Sequence, residues 1–252
     1  MNDRVRIERA DHVLIITMVR EDKRNAVDRA MADALDEAFN LLDDDGGLWA
    51  GVLQARGRVF CAGSDLTSGG DYHTERGGEY GLVRRRRSTP LIAAVEGPAL
   101  GGGMEIALAC DLVVAGRDAS FGLPEVGIGL IPTCGGLFRG PRALPVNVAR
   151  QLILTGDPMT AAEAHRVGFV NTLTEPGAAS ATALALAQRI CRNSPTSVRA
   201  CMAALDTILS DNADEDGWAA TTAATDAIRD TADAREGVTS FLEKRPPVWT
   251  GR

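Results

Sequence analysis

The period of the apolar positions changes along the chain. His12-Val13-Leu14-Ile15-Ile16-Thr17-Met18 is short and β-branched and predicts a strand. Asp28 then stands as a helix N-cap, and Met31, Leu35, Phe39 and Leu42 recur at helical spacing to about Asp43. Trp49–Ala55, Pro90–Val95 and Leu112–Ala115 read as further strands, with a helix over Met104–Cys110. From Thr67 to Gly81 the chain is polar, Gly-rich and aperiodic, which predicts a long loop of the kind often tied to function. Thr160 and Glu163 form a capping box for a helix over Ala161–Val167. Beyond about Glu175 the pattern turns Ala-rich and helical, over Ala178–Arg192, Pro195–Asp211, Asp214–Asp230 and Asp233–Lys244; Ser194 caps the second of these, with Pro195 at its first position. The expectation is a mixed α/β core over residues 1–175 and a helical region over 176–252 that packs on it.

Composition narrows the class. In 252 residues, 45% are hydrophobic and 24% charged, ordinary values for a globular chain. No apolar run reaches the ~20 residues of a membrane span, and the first residues lack a signal-peptide core. A cytoplasmic location is the expectation. The net charge of −7 has the wrong sign for a duplex nucleic-acid binder. Three scattered histidines offer no metal cluster. The five cysteines are widely spaced and read as buried reduced thiols. The one dense basic run, Arg84–Arg87, reads as a solvated helix face, with anionic phosphates or a subunit interface as the alternatives.

The glycines carry the most information: 27 of them, against only 4% aromatic residues. They cluster at Gly69-Gly70, Gly77-Gly78, Gly101-Gly102-Gly103 and Gly135-Gly136. Such clusters suit recognition by backbone, because a ligand can approach a main chain that has no Cβ. Three glycines between a strand and a helix free N–H groups at the positive helix end, as in an oxyanion hole, although a tight packing turn needs the same residues. Glu105 follows at once, inside the apolar run Met104–Cys110. A carboxylate there needs a task or a partner, and a helix-dipole role stays open. Glu125, after Pro124 and before a Gly/Ile/Leu-rich run, is the second such carboxylate, with an exposed turn as its plainer reading. Motifs for P-loop, Rossmann, zinc-protease and α/β-hydrolase chemistry are missing.

The run Leu91-Ile92-Ala93-Ala94-Val95-Glu96-Gly97-Pro98-Ala99-Leu100-Gly101-Gly102-Gly103-Met104-Glu105 through Asp111 closely resembles the signature of the crotonase (enoyl-CoA hydratase/isomerase) superfamily. The likeness extends to Arg20–Ala26, Phe60–Leu66, Pro124–Gly136 and Asp233–Arg245, hence over nearly the whole chain. The resemblance implies a spiral of ββα turns followed by helices that mediate trimerisation, with trimers often pairing into hexamers. It implies an acyl-CoA thioester substrate whose carbonyl oxygen is held by the backbone N–H groups of Ser64 and Gly102. It also implies Glu105 and Glu125 as the pair that adds water reversibly to a 2-enoyl-CoA, giving a 3-hydroxyacyl-CoA. No metal and no cofactor beyond the substrate's own coenzyme A are expected. Arg24, Ala62, Asp65 and Leu66, with Phe241 and a neighbouring subunit's copy of Lys244, are the positions matched to CoA or acyl contacts. Thr67 stands where many hydratases carry Lys, and the loop 68–80 departs from the usual hydratase pattern; its glycine pairs Gly69-Gly70 and Gly77-Gly78 are expected to mark a mobile lid. A carnitinyl-CoA dehydratase-like enzyme, an enoyl-CoA isomerase, and a non-catalytic CoA- or RNA-binding protein on the same scaffold are the alternatives.

Overall fold

A computed structural model describes residues 3–70, 72–210 and 213–248. Strands β1 (Val5–Ala10) and β2 (Val13–Met18) open it as an antiparallel hairpin. Helix α1 (Arg29–Asp44) follows, capped by the Asp28 carboxylate on the Met31 N–H at 2.8 Å. Its apolar stripe of Met31, Leu35, Phe39 and Leu42 is fully buried, as the spacing predicts. Strand β3 (Ala50–Ala55) returns to the sheet. The predicted loop after Thr67 contains a 3-10 turn at Leu66–Ser68 and a two-residue hairpin, β4 (His73–Thr74) and β5 (Gly78–Glu79).

A repeating unit comes next. Strand β6 (Leu91–Val95) joins the large sheet, β7 (Pro98–Leu100) a small one, and α2 (Gly102–Leu108) closes the turn. Strands β8 (Leu112–Gly116) and β9 (Ser120–Gly122) repeat the move, followed by a 3-10 turn at Pro124–Ile128 and helices α3 (Gly136–Ala143) and α4 (Val146–Thr155). Strand β10 (Met159–Thr160) and helix α5 (Ala161–Arg166), whose capping box is present, lead to β11 (Thr172–Thr174). The large sheet has the order β1-β2-β3-β6-β8-β11 and is parallel from β2 onward; the small sheet runs β10-β9-β7. From β6 to β9 successive strands thus alternate between the two sheets, as in a ββα spiral.

Helices α6 (Ala179–Cys191), α7 (Pro195–Ser210), α8 (Ala213–Ile228) and α9 (Ala232–Glu243) complete the chain. Ala179, Ala183 and Ala187 of α6 are fully buried against Val13, Val52, Ile92 and Val114, so small side chains let this helix cover the sheet closely. The expected end of α7 at Asp211 lies outside the described residues. No helix among the described residues is long and apolar enough to cross a membrane.

Three expectations need correction. Arg84–Arg87 is not a helix, and of its four arginines only Arg84 and Arg86 are exposed. Arg85 is buried on Asp36 (2.6 Å) and Asp43 (2.9 Å), and Arg87 pairs with Asp111 at 2.8 Å. Charge compensation from aspartates remote in sequence, two on α1 and one just ahead of β8, takes these two cations inside. The second half of the expected lid is bolted down: Gly77 and Gly78 are buried, and a Cβ on Gly77 would collide with the Gly81 carbonyl. The cysteines also divide, with Cys61 and Cys134 buried and Cys201 exposed.

Candidate active site

Helix α2 is buried along almost its whole length, because Gly102 and Gly103 let neighbouring chain come close on either side. A Cβ on Gly103 would strike the Cys61 carbonyl, and one on Gly102 would strike the Tyr80 hydroxyl. Gly101, just before the helix, has φ 55° and ψ −125°, a conformation an L side chain rarely adopts. The turn therefore requires glycine, and it points the first amides of α2 outward.

The segment 61–65 lies directly against this helix start. A Cβ on Gly63 would sit 2.9 Å from the Gly102 nitrogen. Val27 donates to the Gly63 carbonyl at 2.8 Å, and Asp65 donates to Val27 at 2.9 Å, which clamps the segment on both sides of Ser64. Among the described residues the amides of Ser64 and Gly102 donate to no protein acceptor. Two free, adjacent backbone donors are what an oxyanion needs.

Glu105 sits in the first turn of α2 and is almost wholly buried. Its Oε1 accepts the backbone N–H groups of Cys134 (2.7 Å) and Gly136 (2.8 Å). Burial pushes its carboxyl up to about 7, and those two N–H groups oppose the rise. Glu125 occupies the 3-10 turn at Pro124–Ile128. Its Oε1 stands over Gly101, 3.2 Å from where a Cβ would be, and its buried Oε2 has no hydrogen-bond partner. Burial, and then the charge of Glu105, push this carboxyl up to about 8. The structure therefore brings together the four groups expected to do chemistry: two carboxyls poised near neutrality and two unused amides.

The remaining positions fall into two groups. Arg24 is exposed beside the site, where its carbonyl accepts the exposed Ala62 N–H at 3.0 Å. Leu66 is half-buried in the next turn. The Asp65 carboxylate is turned inward, paired with Arg20 at 2.7 Å and capping Thr67 N–H at 3.0 Å. Phe241 and Lys244 are exposed at the C-terminal end of α9, a helix that packs through Gly237 on the turn bearing Glu125.

Sequence reasoning missed Tyr72, Tyr80, Thr133 and Cys134. Tyr80 is fully buried, with its hydroxyl 2.7 Å from Ser64 Oγ. The available signal was composition: the chain has two tyrosines, and both lie in the segment 72–80.

A family model described as enoyl-CoA hydratase/isomerase matches residues 8–252. A mevalonyl-coenzyme A hydratase of Aspergillus fumigatus is 37% identical over 94% of this chain and 91% of that protein. An enoyl-CoA hydratase of Mycobacterium tuberculosis is 36% identical over 98% of this chain and 96% of that one. The solved structure of a carnitinyl-CoA hydratase from Mycobacterium avium superposes with a TM-score of 0.95 at 42% identity, covering both chains completely.

Proposed function

The chain belongs to the enoyl-CoA hydratase/isomerase family and is a hydratase-type lyase, and from that premise we propose how its own residues add water to a 2-enoyl-CoA. The Ser64 and Gly102 amides receive the thioester carbonyl oxygen. Glu105 and Glu125 hold one water between them at the reacting carbons. Glu105 keeps two backbone N–H donors on Oε1, which suits the carboxylate, whereas Glu125 Oε2 has no partner. Glu125 retains its proton to higher pH.

Glu105 takes a proton from the water as its oxygen bonds to the β-carbon. The C=C electron pair moves toward the carbonyl, and the enolate oxygen is stabilised by the two amides. Glu125 then gives its proton to the α-carbon. One H–OH is added across the double bond, and proton exchange between the carboxyls and solvent resets the pair. Dehydration of a 3-hydroxyacyl-CoA is the same path in reverse. The observation that carries this reading is the pair of buried carboxyls beside two unemployed amides.

Around this centre, the exposed Arg24 guanidinium suits a CoA phosphate, with Ala62 and Leu66 along the pantetheine. Asp65 contributes by fixing its turn, with its carboxylate taken up by Arg20 and the Thr67 N–H, rather than by touching the ligand. Phe241 and Lys244 serve CoA bound to a neighbouring subunit in a homotrimer or homohexamer. The exposed Leu205, Phe241 and Leu242 on the C-terminal helices support an assembly that covers them. Cytoplasmic fatty-acyl metabolism is the setting we infer.

A second reading, dehydration of a 3-hydroxyacyl-CoA with a polar tail, is supported by likeness to proteins named carnitinyl-CoA dehydratase, including one from Salmonella typhi at 34% identity over the full chain. The test is a panel of 2-enoyl-CoA esters followed by loss of the conjugated absorbance. Water addition to at least one ester is expected. No turnover on any of them, with tight CoA-ester binding, would leave a binding protein instead.

A further inference from the structure

The reaction above makes no use of the segment 72–80, yet the fold invests heavily in it. Thr74 Oγ1 donates to the Asp36 carboxylate at 2.8 Å, and Arg85 holds the same carboxylate at 2.6 Å. Arg76 pairs with Asp44 at 2.7 Å. A Cβ on Gly81 would press on the backbone of α1, 2.6 Å from the Asp36 nitrogen. Tyr80 itself is held at φ 59°, a left-handed conformation costly for a bulky residue. Strain retained within a rigid frame marks a placement that matters.

That placement puts hydroxyls at the site. Tyr80 Oη occupies the space beside the Gly102 Cα and bonds Ser64 Oγ at 2.7 Å. Both residues also supply, or adjoin, the oxyanion amides. The Tyr72 ring lies 4.9 Å from the Tyr80 ring, and its hydroxyl, whose pKa burial raises, meets the side-chain hydroxyls of Ser64 and Thr133. Thr133 precedes Cys134, whose amide holds Glu105. The hydroxyl group thus spans the gap between the oxyanion amides and the loop that fixes Glu105. Tyr80 is buried and also meets the Cys134 thiol, so it positions the half-buried hydroxyls of Ser64 and Tyr72, which a ligand can reach. An alkyl tail set against these groups would offer them no polar partner in place of water, whereas an oxygen would.

We propose that Tyr80, Tyr72 and Ser64 select an acyl-CoA that carries an oxygen function on the carbon next to the reacting double bond. The inference rests on the hydratase reading above. The proposal sets that next carbon beside the hydroxyl cluster when the carbonyl is in the Ser64–Gly102 hole and the double bond at the glutamates.

The test uses the full-length protein and two esters of matched size, 4-hydroxybut-2-enoyl-CoA and pent-2-enoyl-CoA, which exchange a hydroxyl for a methyl. The expected kcat/KM is at least about tenfold higher for the hydroxylated ester. In Tyr80→Phe, and separately in Tyr72→Phe, the ratio of the two kcat/KM values should fall toward one. Because both esters are measured on the same sample, the ratio is unaffected by any loss of folded protein. A wild-type preference for the pentenoyl ester, equal rates, or a ratio that survives both Phe substitutions overturns the proposal while leaving the hydratase reading intact. If the wild type hydrates neither ester nor any other 2-enoyl-CoA, both readings fall.

Discussion

Glu105 Oε1 lies 2.8 Å from the Gly136 nitrogen and 3.0 Å from the point where a Gly136 Cβ would stand. The same added carbon would meet Pro132 Cβ at 2.9 Å. Glycine here permits the loop to donate its N–H to a carboxylate that it almost touches. Gly136→Ala should push the loop away and weaken one of the two bonds that favour the ionised form of Glu105. The expected result is a loss in kcat of about tenfold or more, the worth of one charge-assisted bond. Thermal unfolding should drop by only a few degrees, and a wild-type kcat in Gly136→Ala would refute the coupling.

The two carboxyls make the rate depend on pH in a bell. One must be ionised and the other protonated, and they are pushed up to about 7 (Glu105) and about 8 (Glu125). Turnover of a 2-enoyl-CoA should therefore peak between those values and fall on both sides, as macroscopic steps of the pair. Glu125→Gln should abolish turnover while CoA-ester binding remains near wild type.

The same shifts have a stability consequence with a definite sign. Below the ordinary value of 4.5 both carboxyls are protonated in folded and unfolded chains alike, and burial costs nothing. As pH rises through the interval from 4.5 to about 8, the unfolded chain ionises freely and the folded one resists, so stability falls. Glu125→Gln lacks one of these ionisations. Its melting temperature should rise relative to wild type across that interval and match it most closely at the acid end. A constant difference at all pH values would show that Glu125 is not held neutral by burial.

What the sequence made legible was local or backbone-borne. The Asp28 cap, the Thr160–Glu163 capping box and the α1 stripe each lie within a few residues, so spacing alone exposes them. The Gly101–Gly103 turn and Glu105 were legible because three glycines and a carboxylate stand together in one short apolar run, although the groups they meet, Cys61, Tyr80, Glu125, Cys134 and Gly136, lie far off in sequence. The unread parts depend on distant chain. Strand β1 carries Arg6, Glu8 and Arg9 and exists as an edge paired to β2 alone, where charges blunt the open side. Helix α3 contains Pro141 and Gly140 and is stabilised by burial of Phe138, against its own propensities. Arg85 reads as surface until Asp36 and Asp43 are seen beside it, and Tyr80 reads as loop until Ser64 is.

Arg85 gives a test of that non-local burial. Its side chain is 1% exposed and neutralises two aspartates of α1. Arg85→Ala would leave Asp36 without its cation and Asp43 with Arg76 alone, at 3.7 Å, in a dry place, at a cost of about 3–5 kcal/mol. The urea midpoint should fall accordingly, and added salt should not restore it, since buried pairs are screened little. A shift below about 1 kcal/mol, the range of surface pairs, would show that the network is solvated in solution.

Asn25 organises the other side of the site. It is fully buried at φ 54°, and its side chain serves three backbone groups. Oδ1 accepts the Arg20 N–H at 2.8 Å, and Nδ2 donates to the carbonyls of Arg56 (2.9 Å) and Val59 (2.7 Å). The segment it fixes runs alongside 61–65, with Ala62 bonded to Arg24 and Val27 to Gly63, and so sets the Ser64 amide. Asn25→Ala removes all three bonds and puts Cβ-bearing Ala where asparagine is better tolerated. The combined cost should be about 3–5 kcal/mol by urea unfolding. Asn25→Gly relieves only the backbone part and should recover about 1 kcal/mol of it. If the two variants unfold at the same urea concentration, the left-handed backbone carries no strain. If both also keep the wild-type kcat, the segment does not position Ser64.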